Sequence, residues 1–134
     1  MDLKHFFIIL FCAVSIFSAQ AQLNITIQDT TVSSGDQFCL AFRAGDFDRI
    51  VNFQMTLRWD INFLRADTLL PVNIPNPQFL QTNLVTAPSG FVPVIWVDQF
   101  GTGETVADET ILFELCMTAV GPATNTTLVD ISDS

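Results

Sequence analysis

The chain has 134 residues, of which 14 are Asp or Glu and 5 are Lys or Arg, so its formal net charge is −9. This length fits a single domain. Because phosphate contacts need clustered Lys and Arg, so acidic a chain is excluded from the nucleic-acid binders.

The first 21 residues have the pattern of a secretory signal peptide. A short basic region that contains Lys4 precedes the apolar run Phe6–Phe17, and Ala19-Gln20-Ala21 matches the small-x-small pattern of a cleavage site. The apolar run is shorter than the roughly 20 residues that a transmembrane helix needs. We therefore predict export, cleavage after Ala21, and a mature domain at residues 22–134 that does not insert into a membrane.

The predicted mature chain is poor in reactive side chains. The only histidine of the whole sequence, His5, and its only lysine, Lys4, both lie in the signal peptide, so the mature chain has neither. Without histidine, Ser-His-Asp and Cys-His catalysis and His-ligated zinc are excluded, and without lysine so is Schiff-base chemistry. Carboxylates are then the acid–base groups that remain in the mature chain, and no cofactor is predicted.

The first half of the mature chain contains three segments with the period-two alternation of half-buried strands: Leu23–Ile27, Gln37–Phe42 and Val51–Asp60. In Gln37–Phe42, three residues share the inward face: Phe38, Leu40 and Phe42. In Val51–Asp60 the inward residues are Phe53, Met55, Leu57 and Trp59. The polar residues Asn52, Gln54, Thr56 and Arg58 share the opposite face.

The second half continues this pattern. Phe91–Asp98 places Val92, Val94 and Trp96 on one face, and Ile111–Val120 places Phe113, Leu115 and Met117 on one face. Leu80–Thr86 is predicted as a weaker strand after a proline-rich loop, and Leu128–Ser132 as a short last strand. No long segment has a helical period, so these short strands predict an all-β sandwich.

Two cysteines remain after signal cleavage, Cys39 and Cys116. Each is out of phase with the apolar residues of its own strand, so both side chains are predicted to point away from the core. In an exported chain, two such cysteines favour one disulfide between neighbouring strands of a sheet over two free thiols.

In their order and spacing these segments resemble the cohesin domain, the binding module of secreted bacterial scaffoldin and surface proteins. The resemblance extends from about Leu23 to Ser132. It includes Ser34-Gly35-Asp36 before the second strand, the strand 50–60 that ends in an aromatic residue and Asp, and the turn 97–103 after the sixth strand.

The resemblance implies a nine-stranded jelly-roll sandwich with sheets ordered 8-3-6-5 and 9-1-2-7-4. In that order the second and seventh strands, which carry Cys39 and Cys116, are neighbours. The ninth strand would be missing, because the sequence ends at Ser134. We therefore expect either a C-terminally truncated domain or an open edge along the first strand, and an open edge can pair with another chain.

Cohesins are not enzymes, and they bind dockerin modules largely through the outer face of the 8-3-6-5 sheet. The resemblance therefore implies a mature protein that is not an enzyme. The resemblance thus implies a dockerin-like module or another surface protein as the partner, outside a bacterial cell and in the context of polysaccharide degradation. The partner-binding residues that it implies are Asn52, Gln54, Thr56, Arg58, Phe91, Ile95 and Val97. Here a polar stripe lies beside an apolar one, as in protein-binding patches. Alternatively, the loop 71–79 or another segment covers the apolar stripe.

Pro93 lies within the predicted sixth strand and is a departure from a regular interior strand. Proline has no N–H to donate to a neighbouring strand. We therefore expect either a bulge at Pro93 or a stretch of this strand that is unpaired on one side.

Carbohydrate binding is the alternative function, because related β-sandwich modules stack sugar rings on exposed aromatic side chains. Trp59 and Trp96 are both in phase with the core, and the sequence contains no Tyr. The remaining candidate platforms are Phe47, Phe91 and Phe100.

Carboxylates are the only acid–base groups left for a third possibility, a glycosidase or a calcium site. They form two clusters in predicted loops, Asp46 with Asp48 and Glu104 with Asp108 and Glu109. Neither cluster has the spacing of an EF-hand, and solvated surface acids are the simpler interpretation. No metal site is predicted.

Overall fold

The computed structural model describes residues 23–27, 30–121 and 129–132. The predicted signal peptide and its cleavage site lie outside these ranges. Within them, none of the helices is long and apolar enough to cross a membrane.

The described residues form eight β-strands, with the following bounds: β1 (Asn24–Ile27), β2 (Gln37–Gly45), β3 (Asn52–Trp59), β4 (Leu64–Pro71), β5 (Leu80–Thr82), β6 (Phe91–Val97), β7 (Ile111–Ala119) and β8 (Val129–Ser132). Two short 3₁₀ helices, Pro77–Phe79 and Leu84–Ser89, flank β5.

The strands form two four-stranded sheets, ordered β1-β2-β7-β4 and β5-β6-β3-β8. All the strand pairs are antiparallel. For the eight described strands this is the order that the sequence resemblance implied. The prediction of an all-β sandwich is therefore confirmed.

The core lies between the two sheets and is built from the predicted inward-facing residues. Twelve of the thirteen predicted inward residues are buried, and Phe38 is half-buried. The buried ones are Leu40, Phe42, Phe53, Met55, Leu57, Trp59, Val92, Val94, Trp96, Phe113, Leu115 and Met117. Phe42 stacks on Phe113 with ring centroids 4.7 Å apart, and Phe53 stacks on Trp96 at 5.6 Å. Burial of each such side chain stabilises the fold by about 1.5–3 kcal/mol, which explains why the alternation determines the strand faces.

The predicted disulfide joins Cys39 of β2 to Cys116 of β7. The two residues lie directly opposite each other in the antiparallel register, with Cα atoms 3.9 Å apart. Cys39 is exposed and Cys116 is half-buried, on the outer face of the β1-β2-β7-β4 sheet. The outward direction of both side chains and their pairing are confirmed.

The alternation of apolar residues did not locate strand β4, which pairs with β7 along the edge of the first sheet. Its register shifts between Ala66 and Thr68, and the residue between them is Asp67. This bulge and the charges of Arg65 and Asp67 interrupt the apolar alternation, so a period-two pattern could not reveal the strand.

The predicted strand Leu80–Thr86 is shorter than expected. Only Leu80–Thr82 is a strand, and the 3₁₀ helix Leu84–Ser89 follows it. Asn83 caps this helix, because its side-chain oxygen accepts a hydrogen bond from Val85 N at 3.0 Å. Side-chain capping of this kind competes with strand pairing and ends β5.

No register shift occurs where β6 pairs with β3, so the expected bulge at Pro93 is absent from this pairing. Backbone bonds flank the paired stretch, from Asp98 N to Val51 O at 2.7 Å and from Trp59 N to Gly90 O at 2.9 Å. Bonded and non-bonded pairs alternate in an antiparallel sheet, so the nitrogen of Pro93 points away from β3.

On its other side, β6 pairs with β5 only as far as Thr82, which lies opposite Val94. Pro93 is one residue beyond that point, so its missing N–H coincides with the end of the neighbouring strand. Of the two expectations for Pro93, the structure agrees with the strand that is unpaired on one side.

Candidate binding face

The outer side chains of β3 and β6 stand in four directly opposite pairs: Asn52 with Val97, Gln54 with Ile95, Thr56 with Pro93, and Arg58 with Phe91. Together with Gln81 of β5 they form what we call the candidate face. Because strand residues alternate sides, the burial of the inward set sends these side chains to the opposite surface of the sheet. The structure thus brings all seven predicted partner-binding residues together on one face.

Exposure varies across the candidate face. Asn52, Gln54 and Arg58 are exposed, Val97 is 45% exposed, and Phe91 and Ile95 are half-buried. Thr56 is the exception, since it is only 8% exposed. Its backbone lies between Pro93 of β6 and Ser132 of β8, so neighbours on both sides restrict its access to solvent.

Gln81 is a face residue that the sequence reading missed. It lies opposite Ile95 in the β5–β6 pairing, and Gln54 lies opposite Ile95 in the β3–β6 pairing. An apolar side chain is therefore flanked on both sides by exposed amides. Gln81 lies in a strand of three residues, which is too short for a period-two pattern to show its direction.

Arg58 and Phe91 interact at one end of the candidate face. The guanidinium carbon of Arg58 lies 5.4 Å from the centroid of the Phe91 ring. A cation over an aromatic ring at an exposed site contributes about 0.5–1 kcal/mol. This contact covers part of Phe91, which leaves less of its ring available for stacking on a sugar.

The opposite end of the candidate face is closed by a turn that begins at Asp98. Asp98 is 3% exposed, and its Oδ2 accepts hydrogen bonds from Thr102 N at 3.0 Å and Gly103 N at 2.9 Å. Its Oδ1 accepts a hydrogen bond from Asn76 Nδ2 at 3.3 Å. These bonds supply the partners that a buried carboxylate needs.

The aromatic candidates for sugar stacking differ in how exposed their rings are. Phe47 is 1% exposed and packs edge-on against Trp96 at 5.6 Å, so the expectation that it could serve as a platform is wrong. Both tryptophans are buried, as their phase predicted. Phe100, on the turn after β6, is 73% exposed.

The loop carboxylates accept hydrogen bonds from neighbouring loops. Asp108 Oδ1 accepts a hydrogen bond from Asp46 N at 3.0 Å, and Asp48 Oδ1 accepts one from Thr105 Oγ1 at 3.1 Å. Glu104 Oε1 accepts one from Asn76 Nδ2 at 3.3 Å. These contacts connect the loops at one end of the sandwich.

Among the described residues, the one group of three side chains with the spacing of metal ligands is Cys39, Glu114 and Cys116. Its two sulfur atoms are bonded to each other. Since a thiolate, not a disulfide sulfur, is the metal ligand, this group has only one donor to offer.

Solved structures with the same fold are cohesins. The OlpC cohesin of Clostridium thermocellum, solved in complex with a dockerin, matches with a TM-score of 0.70 and 16% sequence identity, over 87% of this chain and 83% of that one. The sixth cohesin of scaffoldin B from Acetivibrio cellulolyticus, also solved with a dockerin, gives 0.69 and 16%, over 84% and 82%. The seventh ScaB type I cohesin of Pseudobacteroides cellulosolvens gives 0.67 and 12%, over 86% and 78%.

At these identities the likeness is one of fold. No protein-family model matches the sequence, and no curated protein matches it either. The chain thus has a cohesin-like β-sandwich, as its sequence resemblance implied.

Proposed function

We propose that this chain is an exported, non-catalytic module that binds a dockerin-type protein through the candidate face. The observation that supports this most is the composition of that face. A central apolar stripe, Phe91 to Val97, is flanked by amides from two neighbouring strands. Protein interfaces combine an apolar centre with a polar rim that fixes the orientation of the partner.

The likeness to cohesins solved with dockerins supports the nature of the partner. The chemistry of the face agrees with it, since Gln54 and Gln81 each offer both donors and acceptors beside Ile95. A partner surface with an apolar ridge between polar groups would satisfy all three side chains at once.

The predicted signal peptide and the Cys39–Cys116 disulfide support a location outside the cytoplasm, since disulfides persist in oxidising compartments. We place the module in the extracellular or cell-surface apparatus of a bacterium that degrades polysaccharides. We expect an intact-mass measurement of the secreted protein to show a mature N-terminus at residue 22.

The test is binding of the domain 22–134 to a panel of purified dockerin modules, including those found with the two cohesins above. Ile95→Arg should weaken the binding roughly 100-fold, because it places a charge at the centre of the apolar stripe. Gln54→Ala should weaken it roughly tenfold. Gln37→Ala, an exposed glutamine on the other sheet, is the control and should leave the affinity unchanged.

Two outcomes would overturn the proposal. One is that no dockerin of the panel binds the wild-type domain. The other is that a dockerin binds with an affinity that neither Ile95→Arg nor Gln54→Ala alters. Retention on cellulose that is lost in Phe100→Ala would instead support the carbohydrate alternative.

A further inference from the structure

Phe100 is an unusually exposed aromatic residue on the turn that follows β6. It is 73% exposed, and among the large apolar residues described here only Val85 is more exposed, at 81%. The turn begins where the apolar stripe of the candidate face ends, because Val97 is the last residue of β6. Phe100 therefore extends the apolar surface beyond the end of the sheet.

The turn that carries Phe100 is held from within by a buried carboxylate. Gly101 N donates to Asp98 O at 3.3 Å, which closes the turn around Phe100. The two bonds from Thr102 N and Gly103 N to Asp98 Oδ2 then fix the residues that follow. A carboxylate with 3% exposure and several N–H partners cannot move without losing them.

The turn is also fixed from outside, by the segment that leads into β3. Ile50 and Glu104 exchange two backbone hydrogen bonds of 2.9 Å. Gly103 has a φ of +96° and lies so close to this segment that a Cβ atom there would be 2.8 Å from Arg49 O. The backbone at both ends of the turn is thus constrained.

An exposed aromatic ring on a constrained backbone is suited to act as a binding anchor. Its ring brings a large apolar area, and its two side-chain torsions cost little entropy when a partner immobilises them. Because the backbone is already ordered, binding does not have to order it.

The charges near this turn indicate the chemistry of the surface that would receive it. Asn76 Nδ2 lies 3.3 Å from both Asp98 Oδ1 and Glu104 Oε1. Asp48 is connected to the same loops through Thr105 and forms an ion pair of 3.7 Å with the exposed Arg49, while Asp46 and Asp108 at this end are exposed acids. In a chain with a net charge of −9, this end of the sandwich favours a partner whose complementary surface carries Lys or Arg.

We infer that Phe100 is an anchor of the proposed dockerin-type interface, and that its ring inserts into an apolar pocket of the partner bordered by basic side chains. Asp98 is its positioning residue. This inference rests on the proposed function. It adds a contact beyond the strand residues of the candidate face.

The experiment measures the affinity of the domain 22–134 for the dockerin of the panel that binds it. Phe100→Ala should weaken binding roughly tenfold or more, with an unchanged unfolding midpoint because the side chain is mostly exposed. Val85→Ala is the matched control, an even more exposed apolar residue on the 3₁₀ helix after β5, and should have no effect. Raising the salt concentration should lower the association rate.

A double-mutant cycle tests the role of Asp98. Asp98→Asn should weaken binding in the wild-type background and have no further effect on affinity in the Phe100→Ala background, since Asp98 acts through Phe100. Additive effects would contradict the positioning role. If Asp98→Asn does not fold, the effect of Phe100→Ala on the affinity still tests whether Phe100 is an anchor.

The failures of the two proposals are distinguishable. If the dockerin binds and Ile95→Arg abolishes binding while Phe100→Ala changes nothing, the anchor is wrong and the proposed function stands. If no dockerin binds the wild-type domain, both proposals fall.

Discussion

The outer faces of the two sheets use their polar groups differently. On the β1-β2-β7-β4 sheet, the Cys39–Cys116 disulfide and a network of Arg65, Asp67 and Thr118 connect neighbouring strands. On the β5-β6-β3-β8 sheet, the described outer side chains of β3, β5 and β6 include no carboxylate and surround an apolar stripe with amides. The first face uses its polar groups for contacts within the domain, whereas the amides of the second face would contact the proposed partner.

The network on the first face has a clear electrostatic consequence. Thr118 Oγ1 donates to Asp67 Oδ2 at 2.6 Å, and Arg65 Nε donates to Asp67 Oδ1 at 3.1 Å. The hydrogen bond from Thr118, and then that from Arg65 with its charge, hold the pKa of Asp67 below its usual range, although burial opposes them. The network therefore stabilises the fold more when Asp67 is ionised than when it is protonated.

Loss of the disulfide is expected to have the largest effect and to separate stability from binding. The two cysteines are 77 residues apart in sequence, so their bond constrains a large loop of the unfolded chain. The paired substitution of Cys39→Ser and Cys116→Ser should lower the free energy of unfolding by about 2–5 kcal/mol. Denaturant unfolding measures this.

At a temperature where that variant is folded, its affinity for a dockerin should equal that of the wild type. A loss of affinity in the folded variant would show that the two faces are not independent. It would contradict the claim that the disulfide face contributes to stability and not to binding.

Removal of the Asp67 network should have the smallest effect, and one that depends on pH. Because the folded-state pKa of Asp67 is lowered, its contribution is present above the unfolded-state pKa, about 4, and is lost as the pH falls through the lower folded-state value. For so exposed a group we expect a few tenths of a kcal/mol in Asp67→Asn at pH 7.

Denaturant unfolding of wild type and Asp67→Asn at pH 7 and at pH 2.5 tests this. The difference between the two proteins should shrink at the lower pH. Thr118→Val, which keeps the shape of the side chain but removes the donor, is the companion variant and should show the same trend. A difference that grows on acidification would contradict the assigned direction of the pKa.

Much of the fold could be predicted from the sequence where one physical cause acts alone. The strand β3 alternates without interruption, and the phase of Cys39 and Cys116 indicated both their direction and their pairing. β4 could not be found in this way, because Arg65, Asp67 and a bulge interrupt its alternation.

The candidate site was predictable to a smaller extent, because loops have no periodicity. Phe47 and Phe100 both lie in loops after strands, yet one is 1% and the other 73% exposed. Phe47 folds inward onto the nearby Phe53 and onto Trp96, which is distant in the sequence. In the sequence Asp98 is only the last residue of a predicted strand, and its buried hydrogen bonds show that it organises the turn around Phe100.

The most direct test of the central claim is a map of amide chemical-shift changes when a dockerin is added to the isotope-labelled domain. If the candidate face binds the dockerin, the largest changes will fall on β3, β5, β6 and the turn after β6, with little change around Cys39 and Cys116. Changes centred on the β1-β2-β7-β4 sheet would contradict it.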